Sequence, residues 1–97
     1  MKKVLLVAAS AALAMGSFSV QASGEGDYNA SGCIGCHGAG GKSSIPAYPN
    51  LAGQKSAYIV KQLKDFQSGA RKDPTMSAMA ALAAGKEQSI ADYLAAQ

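Results

Sequence analysis

Cys33-Ile34-Gly35-Cys36-His37 is the stretch from which the rest of the chain can be read. Two thiols with two residues between them can each reach one vinyl group of a single porphyrin and form thioether bonds to it, which is the chemistry of c-type haem attachment. The next residue then lies under the ring, where an imidazole nitrogen can be offered to iron. These two Cys and this one His are the only ones in the chain. A structural zinc site takes four ligands, usually Cys and His, and this set is one short. A thioredoxin-like thiol–disulfide oxidoreductase would carry its Cys-x-x-Cys in a strand-rich βαβ setting, which this Ala- and Gly-rich chain does not suggest. A plain disulfide at this spacing closes a tiny loop and would stabilise little. Covalent attachment of one haem uses all of these residues.

Outward from the motif towards the start, residues 1–22 read as a secretory signal peptide. Lys2 and Lys3 form a positive n-region, Val4 to Leu13 an apolar h-region, and Val20-Gln21-Ala22 a small-residue pattern before a cut. The apolar run falls short of the roughly 20 residues that span a bilayer, so no stable membrane insertion is expected. Removing Lys2 and Lys3 from the nine basic residues leaves seven, against six acidic ones. The mature chain is therefore close to neutral and lacks the basic face that nucleic-acid binding requires. Export predicts a periplasmic location.

Residues 23–97 form one expected domain, small enough that its core needs a staple such as a cofactor. One Cys-x-x-Cys-His run implies one haem. Gly24, Gly26 and Gly32 weaken the helix expected before Cys33, each by roughly 0.5–1 kcal/mol relative to Ala. Tyr28 in that segment packs on a C-terminal helix or lies exposed; a lone aromatic sets no period. Gly38 to Ser44 reads as a loop, and the proline-bearing segment Ile45 to Gln54 continues it. Ligating His residues usually donate their second ring N–H to a carbonyl or carboxylate, which this loop could supply.

Ile59, Val60, Leu63 and Phe66 recur at helical spacing, with Ser56 as expected N-cap and Gly69 just past the end. Tyr58 and Gln62 on this helix are either ordinary surface or contacts to the haem edge and propionates. Pro74 stops a helix from running on through the next stretch, placing Met76 at the exit of a loop. Met79 and Leu82 suggest the inner face of a short helix. On spacing alone both Met76 and Met79 are candidate thioether ligands, and Met is also a common core filler. A last amphipathic helix is predicted over Lys86 to Gln97, with Ile90, Tyr93 and Leu94 inward and Gly85 as its cap.

The chain resembles class I cytochromes c, specifically small single-haem bacterial ones. The resemblance rests on Cys33 to Gly38, on Pro49-Asn50-Leu51-Ala52-Gly53-Gln54, on Tyr58 with Gln62-Leu63, on Gly69-Ala70-Arg71 ahead of Met76, and on Ala91-Asp92-Tyr93-Leu94. Tyr28 precedes the first Cys by five positions where the family usually has an aromatic at four, and Ala84-Gly85-Lys86-Glu87 replaces the usual Leu-Ser-Asp opening of the last helix. The resemblance implies an all-α cytochrome c fold of three or four short helices around one covalently attached haem c. It implies Cys33 and Cys36 as attachment points, His37 and Met76 as axial ligands, Pro49 as the carbonyl that orients His37, and Tyr58 and Arg71 beside the cofactor. The implied function is electron carriage in a respiratory chain by outer-sphere Fe(III)/Fe(II) transfer, without enzymatic turnover. Its redox partner proteins would be a reductase or dehydrogenase as donor and a terminal oxidase or reductase as acceptor. Lys42, Lys55, Lys61, Lys64 and Lys72 are candidates for a steering rim or plain solvated surface. With a labile sixth ligand the same chain would instead sense a gas or act on peroxide.

Overall fold

The computed structural model of the chain describes residues 22–97. Apart from Ala22, the signal-peptide reading lies outside those residues.

The glycine-bearing segment ahead of the motif is helical over residues 22–30 (α1), against its local propensity. Packing accounts for this. Gly24 is buried where α1 meets the last helix, and a Cβ there would sit 2.6 Å from both the Ser89 carbonyl oxygen and Tyr93 Cβ. The absent side chain lets the two backbones approach, and the contact offsets the helix cost. Asp27 accepts a hydrogen bond from the Ser89 hydroxyl across the same crossing. Tyr28 is fully buried, with its ring 5.6 Å from that of Tyr93 at a 47° tilt. Of the two placements open to Tyr28, the structure has the packed one.

The motif comes next as a single helical turn, Ile34–His37 (α2), then a 3₁₀ turn at Ala39–Gly41 inside the expected loop. An irregular segment leads to α3 (Ser56–Ser68), α4 (Pro74–Leu82) and α5 (Glu87–Ala95), and no residue among those described is in a strand. The architecture is all-α, as expected. Five α-helices lie among the described residues, where three or four were expected, and the four-residue α2 is the shortest of those bounded within them.

α3 packs against α5 on one side and α4 on the other. Ile59, Leu63 and Phe66 of α3 meet Ile90, Ala91, Tyr93 and Leu94 of α5 and Ala80 and Ala83 of the α4 segment in one core. Gly69 closes α3 in the left-handed conformation.

Four local expectations change. Ser56 is the first residue of α3 rather than its cap; its hydroxyl donates to the Asp92 carboxylate and ties α3 to α5. Gly85 does not cap α5, whose N-cap is Lys86; the Gly85 N–H is taken by the Glu87 carboxylate at 2.7 Å, an exchange that a glycine N–H just ahead of an acidic first turn allows. Met76 belongs to the first turn of α4 and not to a loop exit. Pro74 starts that helix, since proline lacks only an N–H that the first turn leaves unpaired anyway, and the Asp73 carboxylate caps it by accepting from Thr75 N–H (2.9 Å) and Met76 N–H (2.8 Å). Leu82, expected inward with Met79, is 59% exposed, because the α4 turn that meets α3 presents Ala80 instead.

Candidate haem-binding site

α2 is too short to hold a side chain by itself, so the motif is positioned by what surrounds it. His37 is 6% exposed, and its Nδ1 lies 2.9 Å from the Pro49 carbonyl oxygen. A carbonyl only accepts, so in the neutral ring Nδ1 carries the proton and Nε2 keeps its lone pair, the form in which imidazole binds a metal. The Pro49 loop is held in turn: the Leu51 and Ala52 N–H groups both donate to the Gly41 carbonyl, at 2.8 and 3.1 Å. Gly53 N–H donates to the Leu94 carbonyl of α5 at 2.9 Å. Tyr48 presents its ring to His37 edge-on, 6.4 Å between centres.

These residues open onto a cavity of about 490 Å³, within the range of roughly 300–1,000 Å³ usual for cofactor and ligand sites. Cys33, Cys36, His37, Pro49, Tyr58, Arg71 and Met76 all line it. Leu51, Ile59, Leu63, Phe66 and Ala80 make its apolar walls. Both thiols are free and partly buried. Burial pushes the Cys33 thiol above its usual range, more than its backbone hydrogen bond lowers it, and the neighbouring Cys36 adds to the rise. The thiol is therefore held neutral.

Tyr58 is 49% exposed at the edge of the cavity. Arg71 is exposed as well, yet its position is defined. It donates to Gln62 Oε1 at 2.7 Å and stacks over the Phe66 ring at 4.7 Å, a cation–π arrangement that fixes the guanidinium plane. Lys72 lines the cavity, whereas Lys61 pairs with Asp65 one turn on. Met79 also faces the cavity, but its methyl group lies 2.7 Å from where a Cβ on Gly32 would be. It packs tightly beside the motif.

Two supports were not read from sequence. The cap on α4 had a signal, since Asp-Pro at a helix start pairs an N-cap acceptor with proline at the first position. The Arg71–Gln62 bond had none, because the partners are nine positions apart across a helix end.

The donor set fits an iron porphyrin. Two thiols stand beside an imidazole whose tautomer is set, thioether sulfurs face the same space, and the walls are apolar. Among the described residues no three His, Cys, Asp or Glu side chains gather as a bare metal site. A metal here would need most of its ligands from a ring that the protein does not supply.

The profile of the family described as Cytochrome c matches residues 21–94. The chain belongs to the class I cytochromes c. Such proteins carry covalently bound haem c and transfer electrons. The chain is 46% identical over 66 residues to a thiosulfate dehydrogenase electron acceptor of Thiomonas intermedia, a match covering 66% of this chain and 30% of that protein. It is 54% identical over 43 residues to a cytochrome c4 of Thiocapsa roseopersicina, covering 43% of this chain and 22% of the other. To a cytochrome c-552 of Acidithiobacillus ferridurans it is 36% identical over 63 residues, 64% of this chain and 27% of that one. The matches thus span less than a third of each relative's length. None of the helices among the described residues of this cytochrome is long and apolar enough to cross a membrane.

Proposed function

We propose that this cytochrome is a soluble monohaem electron carrier of a periplasmic respiratory chain, exported by a cleavable signal peptide over residues 1–22 and folded over 23–97. The observation that carries the reading is the cavity in which Cys33, Cys36, His37 and Met76 all have a share. In it the Pro49 carbonyl leaves His37 Nε2 as the free nitrogen.

Cys33 and Cys36 would hold the haem covalently, and His37 and Met76 would bind its iron. Haem c, once bound, supplies a one-electron Fe(III)/Fe(II) couple. The protein sets the conditions for that couple. Pro49 keeps the His37 proton on Nδ1. Met76 offers a neutral, soft sulfur that favours the reduced ion and raises the potential. Ile59, Leu63 and Phe66 exclude water and disfavour the extra charge of the oxidised centre. Arg71 and Tyr58 lie at the edge of the same cavity, where Arg71 adds a positive charge and Tyr58 an amphipathic ring. With His37 and Met76 both bound to iron, no substrate would have to reach the metal, and transfer would be outer-sphere.

The partners are redox proteins that dock transiently at the cavity mouth through a small interface: a dehydrogenase or reductase as donor, a terminal oxidase or reductase as acceptor. Similarity to the Thiomonas electron acceptor supports a dehydrogenase donor. The test is a two-partner assay with the purified haem-loaded protein. Donor and oxidase preparations from the same cell should reduce and reoxidise it, and the ferrous protein should bind carbon monoxide slowly or not at all near neutral pH. Rapid carbon monoxide binding, with no exchange of electrons with either preparation, would point to an open iron site and against the carrier.

A further inference from the structure

Tyr28 is fully buried against Tyr93, yet packing alone would need only a phenylalanine there. A buried phenol hydroxyl has to be satisfied. The partner of this one is the carbonyl of Gly38, the residue after His37, at 2.7 Å. Gly38 has φ 82° and ψ 168°, a backbone region essentially reserved for glycine, and a Cβ there would collide with the Lys42 carbonyl oxygen at 2.2 Å. Its carbonyl takes a second bond from Gly41 N–H at 3.1 Å. Gly41 is in turn the residue whose carbonyl holds Leu51 and Ala52, and with them the loop bearing the Pro49 carbonyl. The two restraints on His37, the backbone leaving it and the acceptor for its ring, therefore meet in one short turn. The phenol is fixed to that turn from α1.

We propose that Tyr28 is a positioning residue for His37: its hydroxyl anchors the Gly38–Gly41 turn, and through that turn both the exit of the chain from His37 and the Pro49 carbonyl that orients the ring. The inference rests on the reading of His37 as the haem ligand. Burial, with smaller contributions from Cys33 and Tyr93, pushes the Tyr28 phenol far above its usual range, which favours the protonated hydroxyl that donates to Gly38.

The test uses the haem-loaded protein with Tyr28→Phe, which keeps the ring and removes only the hydroxyl. Helicity and covalent haem should be retained. Amide exchange at Gly41 should quicken at least about threefold, as expected for loss of one ordinary hydrogen bond. The His37 ring resonances of the oxidised protein should move. Ser89→Ala removes the hydroxyl that bonds Asp27 across the same α1–α5 crossing but does not touch the turn, and should leave those resonances in place. If Tyr28→Phe leaves the His37 resonances unmoved, the residue only packs and the proposal is overturned. Should the variant not accumulate, the unaltered protein decides. A Tyr28 hydroxyl proton that exchanges slowly with water and shows a cross-peak to Ala39 upholds the bond to Gly38; a rapidly exchanging one overturns it. Failure of the underlying reading looks different: the unaltered protein would carry no covalent haem and both thiols would alkylate, whatever the hydroxyl proton does.

Discussion

Nδ1 of His37 and the carbonyl oxygen of Pro49 are 2.9 Å apart although twelve positions separate them in the chain. The acceptor is backbone, so the bond depends on the path of the loop and not on the proline ring. Pro49→Ala is therefore expected to cost only about 0.4–1 kcal/mol, the conformational entropy that proline removes from the unfolded chain. The visible spectrum of the haem-loaded protein should be unchanged. Denaturant titration checks the first expectation and absorbance the second. A lost or shifted haem spectrum in Pro49→Ala would mean that the side chain itself orients His37.

Helix propensity and packing give opposite signs at Gly24. Alanine there should favour α1 by roughly 0.5–1 kcal/mol on propensity alone. The Cβ would instead press on Ser89 and Tyr93 at 2.6 Å, and overpacking of this kind costs about 1–3 kcal/mol. Gly24→Ala should therefore destabilise the protein in denaturant titration, while Gly26→Ala, with open space around it, should be neutral or stabilising. Equal effects at the two positions would show that the α1–α5 crossing is not tight.

What the sequence reveals and what it hides divide along these lines. The core face of α3 was legible because Ile59, Leu63 and Phe66 repeat at helical spacing, and all three are buried. The five-residue motif announces its cofactor for the same local reason. Gly24 looked like a helix weakness because propensity is local, whereas its use lies in a contact with Ser89 and Tyr93 far along the chain. Leu82 is exposed against expectation: a mostly apolar α4 has no clear periodicity from which to choose its inner face, and Ala80 is the residue buried. Ser56 resembled a cap because hydroxyls often are; its bond to Asp92 is tertiary and leaves no mark on nearby residues.

Met76 and Met79 line the same cavity one helical turn apart, and they should separate by substitution. Met76→Ala should abolish the weak sulfur-to-iron absorption band at the red end of the visible spectrum and lower the midpoint potential. Met79→Ala should keep the band and cost about 1–3 kcal/mol, at the lower end for removing a partly buried side chain. Loss of the band in Met79→Ala alone would exchange the two roles.

Asp92 ties α5 to α3. Hydrogen bonds from the Ser56 hydroxyl and then the Gln88 amide hold its carboxyl below the usual carboxylate range. A depressed folded-state value means that the folded chain binds the proton less readily than the unfolded one. The stabilisation is thus complete above the ordinary carboxylate range and is lost as pH falls through the folded value. Asp92→Asn should flatten the acid limb of the stability profile and leave its alkaline side unchanged. The pH dependence of the denaturation midpoint in the two proteins measures this, and parallel acid limbs would remove Asp92 from the account.

The central claim is that one porphyrin is sewn to Cys33 and Cys36 inside this small fold. Intact mass spectrometry of the purified protein, with and without a thiol-alkylating reagent, tests it most directly. The expected result is the mass of the polypeptide plus one haem, unchanged by the reagent. The mass of the polypeptide alone, raised by two alkyl groups after treatment, would contradict it.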